Sequence, residues 1–301
     1  MEFPKTLIKR NGYIERIKPF MRKNIAKVLT GQRRVGKSFL LYQLMDQLLV
    51  EEPDANIIYI NFEDFAFSHI QTAEDMHAYI MSKFRKEKYN YIFVDEIQEI
   101  VNFERVIRSL LLNENNDIYI TGSNAKMLSG ELATYLSGRY IEFSVYSLSY
   151  LEFLAFHKLE NNNESLYLYS RYGGLPYLIN LPLKDETVNE YLKSVYSTIV
   201  FRDVVSRYNL RNSSFLEKLV QFLSENIGNL FSAKNISDYL KSQHSTISVN
   251  QIQNYTEYLN NAFLIHRVGR YDLIGKRLFE IGEKYYFENM GLRNIVIGYR
   301  I

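Results

Sequence analysis

The 301-residue chain contains no cysteine. That excludes disulfides, thiolate metal sites and a cysteine nucleophile, and it agrees with a reducing compartment. Tryptophan is absent too, and prolines number only 5 and glycines 14. With 47% hydrophobic and 23% charged residues, the balance is that of a folded globular protein, neither disordered nor fibrous. No apolar run approaches the roughly 18 residues needed to span a bilayer. The N-terminal "MEFPKTLIKRNGYIERIKPF" carries charges every few residues and lacks the apolar centre of a secretory signal. A cytoplasmic protein without a membrane partner is therefore expected. A strong charge of either sign is also missing. The net charge is +2, so any surface for nucleic acid must be local. The histidines, at 69, 77, 157, 244 and 266, form no His-Glu-x-x-His, and no Gly-x-Ser-x-Gly occurs, which leaves out zinc-protease and serine-hydrolase chemistry.

What is present is alternation. Short β-branched runs, "IAKVLT" (25–30), "NIIYINF" (56–62), "YIFVDE" (91–96), "DIYITG" (117–122) and "RYIEFSV" (139–145), interleave with helical patterns such as 37–50 and 104–112. This is the signature of an α/β fold with a parallel sheet. Beyond about 147, apolar residues recur at three- and four-residue spacing and the stretch reads as helical. From 214 come three helices, at 214–228, 232–243 and 246–263, and two alternating segments joined through Gly275. That order describes a winged helix. The expected domains are 1–146, an α/β core; 147–205, helical; and 206–301, a winged helix.

"GQRRVGKS" (31–38) matches G-x-x-x-x-G-K-[ST] at every specified position, after a strand and before a helix. Gly31 and Gly36 let successive N–H groups face phosphate oxygens, and the helix N-terminus favours negative charge. Lys37 is expected on the β and γ phosphates, and Ser38 on Mg²⁺. Gln32, Arg33, Arg34 and Val35 fill the free positions of this cofactor-binding stretch, and Phe39 follows it. The two arginines are expected in solvent. "YNYIFVDEIQE" (89–99) buries a strand that ends in adjacent acids, which is costly unless cations or chemistry require them. Asp95 is expected to hold Mg²⁺ and Glu96 to act as general base, so ATP or GTP hydrolysis leads. "IYITGSN" (118–124) offers Ser123 or Asn124 to orient the water or sense the γ-phosphate; ordinary turn chemistry is the other reading. Arg139 is a candidate for stabilising transition-state charge, in cis or across a subunit boundary, or a plain surface arginine.

"VLTGQRRVGKSFLL", "YIFVDEIQEI", "IYITGSNAKMLSGELATYLSGRY", "YSLSYLEFLAF" and "YGGLPYL" occur in this order. The series resembles bacterial and archaeal AAA+-like ATPases of the archaeal-ATPase and signal-transducing NTPase branch of P-loop proteins. The likeness covers nearly the whole chain. It implies ATP as ligand, a sheet ordered 5-1-4-3-2 with a helical lid, Asp95 and Glu96 as the Walker B pair, and Ser123 as the sensor. It also implies that "GGLP" (173–176) corresponds to the Gly-x-Pro signature of the lid, with Pro176 near the adenine; from the residues alone this is a turn between helices. Arg10 and Tyr13 precede the first strand, where relatives bind the base. Relatives commonly continue into a restriction-nuclease-like fold. The chain ends at Ile301, where that fold would begin, so a fragment or a shortened relative is expected, without nuclease activity.

Two functions of different class follow. One is a nucleotide-driven switch or motor, with a protein partner or self-association. The other is a DNA-binding regulator whose nucleotide site only gates the winged helix, with negligible turnover. A small-molecule phosphotransferase is disfavoured because 206–301 does not read as an acceptor-binding lid. On the third helix, Val249, Ile252, Tyr255 and Leu259 share the inward face, leaving Asn250, Gln251, Asn254 and Glu257 outward. That helix has no lysine or arginine. Positive charge lies at Arg267, Arg270, Lys276, Arg277, Lys284 and Arg293, so any DNA binding is expected to be weak, wing-led and salt-sensitive. The reading placed ahead of it is a domain that packs on the ATPase or on a partner protein.

Overall fold

Five strands, β1 (Ala26–Thr30), β2 (Asn56–Asn61), β3 (Asn90–Asp95), β4 (Asn116–Gly122) and β5 (Tyr140–Ser144), pair in parallel in the order β2-β3-β4-β1-β5. This is the expected 5-1-4-3-2 sheet. The computed structural model describes residues 4, 7–125, 132–244, 247–269 and 282–298. Strands β1, β3 and β4 are buried along their whole length, while β2 alternates and β5 is partly open. The three central strands are covered on both faces, hence their continuous apolar runs.

Before β1 comes α1 (Asn11–Ile17). Between the strands run α2 (Lys37–Glu51), α3 (Ala73–Ser82), α4 (Phe103–Leu110) and α5 (Leu132–Leu136). The start of α3 is set by a capping box between Thr72 and Asp75. Met76 and Ile80 of α3 and Phe103, Ile107 and Leu110 of α4 share one apolar core with Ile58, Ile92, Val94, Ile118 and Ile120 of the sheet. An ion pair is buried in the sheet. Lys27, fully buried in β1, pairs with Asp117 at the start of β4. Tyr119 donates to the same carboxylate at 2.7 Å and the Arg22 backbone N–H at 2.8 Å, so the buried pair is satisfied on several sides.

The chain divides into two units, Met1–Gly31 with Val35–Tyr146, and Gln32–Arg34 with Ser147–Ile301. The second unit is mainly helical. It contains α6 (Tyr150–His157), α7 (Asn163–Tyr172), α8 (Asp185–Thr198), which runs on into a π-helical turn Ile199–Ser206, α9 (Ser213–Glu225), α10 (Ala233–Ser242), α11 (Val249–Asn261) and α12 (Met290–Ile297). Strands β6 (Ile265–Val268) and β7 (Lys284–Phe287) pair antiparallel. Side chains of Ser149, Asn162, Asn212, Ser232, Ser248 and Asn289 cap α6, α7, α9, α10, α11 and α12. On α11, Ile252, Tyr255 and Leu259 are buried and Val249 half-buried, while Asn250, Asn254 and Glu257 are exposed and Gln251 is half-buried. Gly275, Arg270, Lys276 and Arg277 lie outside the described residues. Among the described residues no helix is long and apolar enough to cross a membrane.

Candidate functional site

Parallel strands bring their C-terminal ends to one edge, and the polar residues that end β1, β3 and β4 meet there. After β1, Gly31 turns with φ at 148°. A Cβ on it would lie 2.1 Å from the Val145 carbonyl oxygen, so the close approach admits only glycine. Gly36, left-handed with φ at 96°, opens α2, and Lys37 is the first helical residue. The loop is braced from outside. The buried Arg10 guanidinium donates to the carbonyls of Val35 (3.1 Å) and Tyr146 (3.0 Å) and lies over the Tyr13 ring. The Tyr13 hydroxyl accepts from the Tyr146 N–H at 3.0 Å.

Lys37 is buried and donates to its own loop at the Gly31 carbonyl (3.1 Å). Its ammonium stands 3.8 Å from Glu96 Oε1. Glu96 ends the strand pleat in a left-handed conformation, φ 54°, and that turn carries its carboxylate toward Lys37 and Ser123. Ser123 donates to Glu96 Oε2 at 3.2 Å and Gln98 Nε2 donates to the same oxygen at 2.5 Å. Asp95 is 1% exposed. Burial pushes its carboxyl above the ordinary value; hydrogen bonds from Ser38 and Thr121 and the Lys37 charge oppose this, and the Glu96 charge adds to it. The Tyr59 hydroxyl, itself raised by burial, approaches Asp95 Oδ2 at 3.5 Å.

This donor set fits a triphosphate with a divalent cation. A buried ammonium lies at the start of a helix, and a serine hydroxyl meets a buried carboxylate whose charge a cation would stabilise. In the first unit, Gly31, Val35, Gly36, Lys37, Ser38, Asp95, Glu96 and Ser123 all lie at this one edge, and Asn124 is buried beside Ser123. Phe39 is 47% exposed. Arg34 is exposed, but Arg33, expected in solvent, is not. It is buried in the second unit and forms a two-point pair with Asp203 at 3.1 and 3.2 Å. In the same unit Gln32 donates to the Phe263 carbonyl at 2.9 Å.

Arg139 is not brought to this edge. It precedes β5, and its carbonyl accepts from the N–H of Ala26, the first residue of β1, at 3.0 Å. The loop begins at the other end of β1, roughly 15 Å of strand away. Action in cis at this site is thereby corrected. Pro176 lies in the second unit, at the start of a 3-10 turn, Pro176–Asn180. The sequence reading passed over Thr121 and Gln98. Gln98 stands inside the acidic motif and Thr121 one residue before a strand-ending glycine, but no spacing rule marks either.

The phosphate-loop sheet defines the class, and comparison with known proteins agrees. Residues 23–154 match an AAA domain family, and residues 163–300 match a domain of unknown function (DUF8612). An uncharacterized protein of Haemophilus influenzae is 36% identical over 301 residues, covering 98% of this chain and 74% of that protein. The uncharacterized protein MJ1544 of Methanocaldococcus jannaschii is 32% identical, covering 80% of this chain and 56% of that one. The chain belongs to one family with the Haemophilus protein, and its residues 23–154 are an AAA domain. It spans little more than half the length of MJ1544 and of MJ1637, 56% and 58%. Among solved structures, the Aeropyrum pernix ORC1 protein in complex with DNA aligns with a TM-score of 0.45 at 11% identity, covering 97% of this chain and 93% of that one. AMPPCP-bound DnaA from Aquifex aeolicus aligns with a TM-score of 0.41 at 14% identity, covering 85% and 89%.

Proposed function

We propose that this chain binds ATP with Mg²⁺ and hydrolyses it, and that the cycle works as a switch or motor coupled to a winged-helix module at 206–301. The observation that carries this reading is the Lys37–Glu96 approach of 3.8 Å, with both groups buried at the edge where the phosphate loop begins. The loop N–H groups and the start of α2 would take the phosphates, with the Lys37 charge on the β and γ groups. Ser38 and Asp95 would hold Mg²⁺, which supplies charge neutralisation when bound. Glu96 takes a proton from water as its oxygen bonds to the γ-phosphorus, and the bond to the β-bridging oxygen breaks to release ADP. Ser123, which already donates to Glu96, holds that base in place. The stretch 147–205 is read as the lid, with Pro176 as an adenine contact by family resemblance.

ATP binding and steady-state turnover test this. Lys37→Ala is expected to lose ATP affinity, whereas Glu96→Gln is expected to bind ATP and turn it over roughly 10² to 10⁴ times more slowly. Unchanged binding in the first variant removes the phosphate assignment, and unchanged turnover in the second moves the base elsewhere.

A second reading, a nucleotide-gated DNA-binding regulator, draws on the exposed Asn250 and Asn254 of α11 and the exposed Arg267 and Lys284 of β6 and β7. Arg267 already lies 3.6 Å from Glu283, which lowers the charge it offers a phosphate. Titration with duplex DNA at low salt, with turnover followed in parallel, separates the two. DNA binding without turnover selects the regulator.

A further inference from the structure

Gln98 is a buried amide with only one end in use. It sits in the helical turn Ile97–Glu99 directly after Glu96 and is 9% exposed. Its Nε2 donates to Glu96 Oε2 at 2.5 Å and lies 3.5 Å from Ser123 Oγ. Its Oε1 is buried and has no hydrogen-bond partner among the described residues. The orientation of the amide follows from its neighbour. A carboxylate only accepts, so the NH₂ end must face Glu96, and turning the amide over would set two acceptors against each other. The oxygen is therefore the end not turned to the carboxylate, and it is buried as well. A buried acceptor left unmade destabilises the fold, and such groups call for an explanation.

We propose that Gln98 is a water-positioning residue for the hydrolysis described above: its Nε2 fixes the Glu96 carboxylate and its Oε1 accepts a hydrogen bond from the attacking water. The inference rests on the ATPase reading of this site. Water must present a lone pair to the γ-phosphorus while one of its hydrogens points at the base. If Glu96 takes one hydrogen and Gln98 Oε1 accepts the other without removing it, both O–H directions are defined and the lone pair is left for phosphorus. The amide exchanges no proton. One water O–H bond breaks, one O–P bond forms, and the bond to the ADP leaving oxygen breaks. Such orientation acts on turnover and leaves nucleotide affinity alone, because among the described residues Gln98 bonds to Glu96 and Ser123 and to none of the phosphate loop.

The test compares Gln98→Met, which keeps the side-chain volume, with Gln98→Ala, on the full chain with ATP and Mg²⁺. Thermal unfolding of both variants is recorded beside kcat, KM and the ATP dissociation constant. Gln98→Met removes a buried unpaired oxygen but also the hydrogen bond to Glu96, so its melting curve serves to show that the variant is folded under the assay conditions. Its kcat should fall about 10- to 100-fold, less than loss of a general base, with KM and the dissociation constant within about twofold. A well-folded Gln98→Met with wild-type kcat overturns the proposal. So does one with raised kcat, which would make the amide a brake on Glu96. A wild-type chain that binds ATP without hydrolysing it overturns the ATPase reading itself, and the role of Gln98 with it.

Discussion

Thr121 serves both acids of the site with one hydroxyl. It donates to Asp95 Oδ1 and accepts the Glu96 backbone N–H at 3.0 Å. Strand order explains why it can: β4 lies next to β3, and Val94 pairs with Ile120, so Thr121 falls opposite the end of β3. Thr121→Val keeps the shape and removes the hydroxyl, leaving a buried carboxylate oxygen and a buried N–H each short of a partner. Urea denaturation should show a loss of about 1–3 kcal/mol. Stability equal to wild type would mean that water replaces the hydroxyl. Residues of this kind were illegible in sequence because a threonine in an apolar strand has the same pattern whether it packs or bonds. Lys37, Ser38, Asp95 and Glu96 were legible because their spacing to glycines and strand ends is itself the chemistry.

Elements were read most reliably where local covalent geometry decides them. The helix expected from 232 is capped by Ser232 itself, its hydroxyl accepting from the Asn235 N–H at 3.2 Å. Strands β1 to β5 fall within two residues of the β-branched runs; for β1, β3 and β4 burial on both faces demands continuous apolar sequence. The Gly-Gly-Leu-Pro turn shows what local reading leaves open. Its conformation is required by what packs on it: a Cβ at Gly174 would lie 2.2 Å from the Leu148 carbonyl oxygen, in a place where Leu148 N–H also donates to the Gly174 carbonyl at 2.7 Å. Gly174→Ala should therefore destabilise the chain by about 1–3 kcal/mol or more, read from its denaturant midpoint. An unshifted midpoint would show that the backbone yields at no cost.

At the scale of the whole molecule, Arg139 sits at the end of the sheet opposite the phosphate loop, so a catalytic role for it requires a second copy of the chain. Arg139→Ala should then lose turnover and keep ATP affinity, and mixing it with Glu96→Gln should restore part of the activity by joining one intact site from two defective chains. Absence of complementation in a protein that is monomeric throughout removes Arg139 from the reaction. Taken alone, the sequence determined the phosphate loop, the acid pair and the alternating α/β class, since each depends on residues a few positions apart. Family resemblance added the strand order. Tertiary structure alone decided that Arg33 pairs with Asp203, 170 positions away, and that Lys27 meets Asp117, 90 positions away. It alone put Gln98 and Thr121 on the acids and Arg139 at the far end of its sheet. The physical reason is burial: once a polar group leaves water it must find a partner, and which partner is near depends on how distant segments pack.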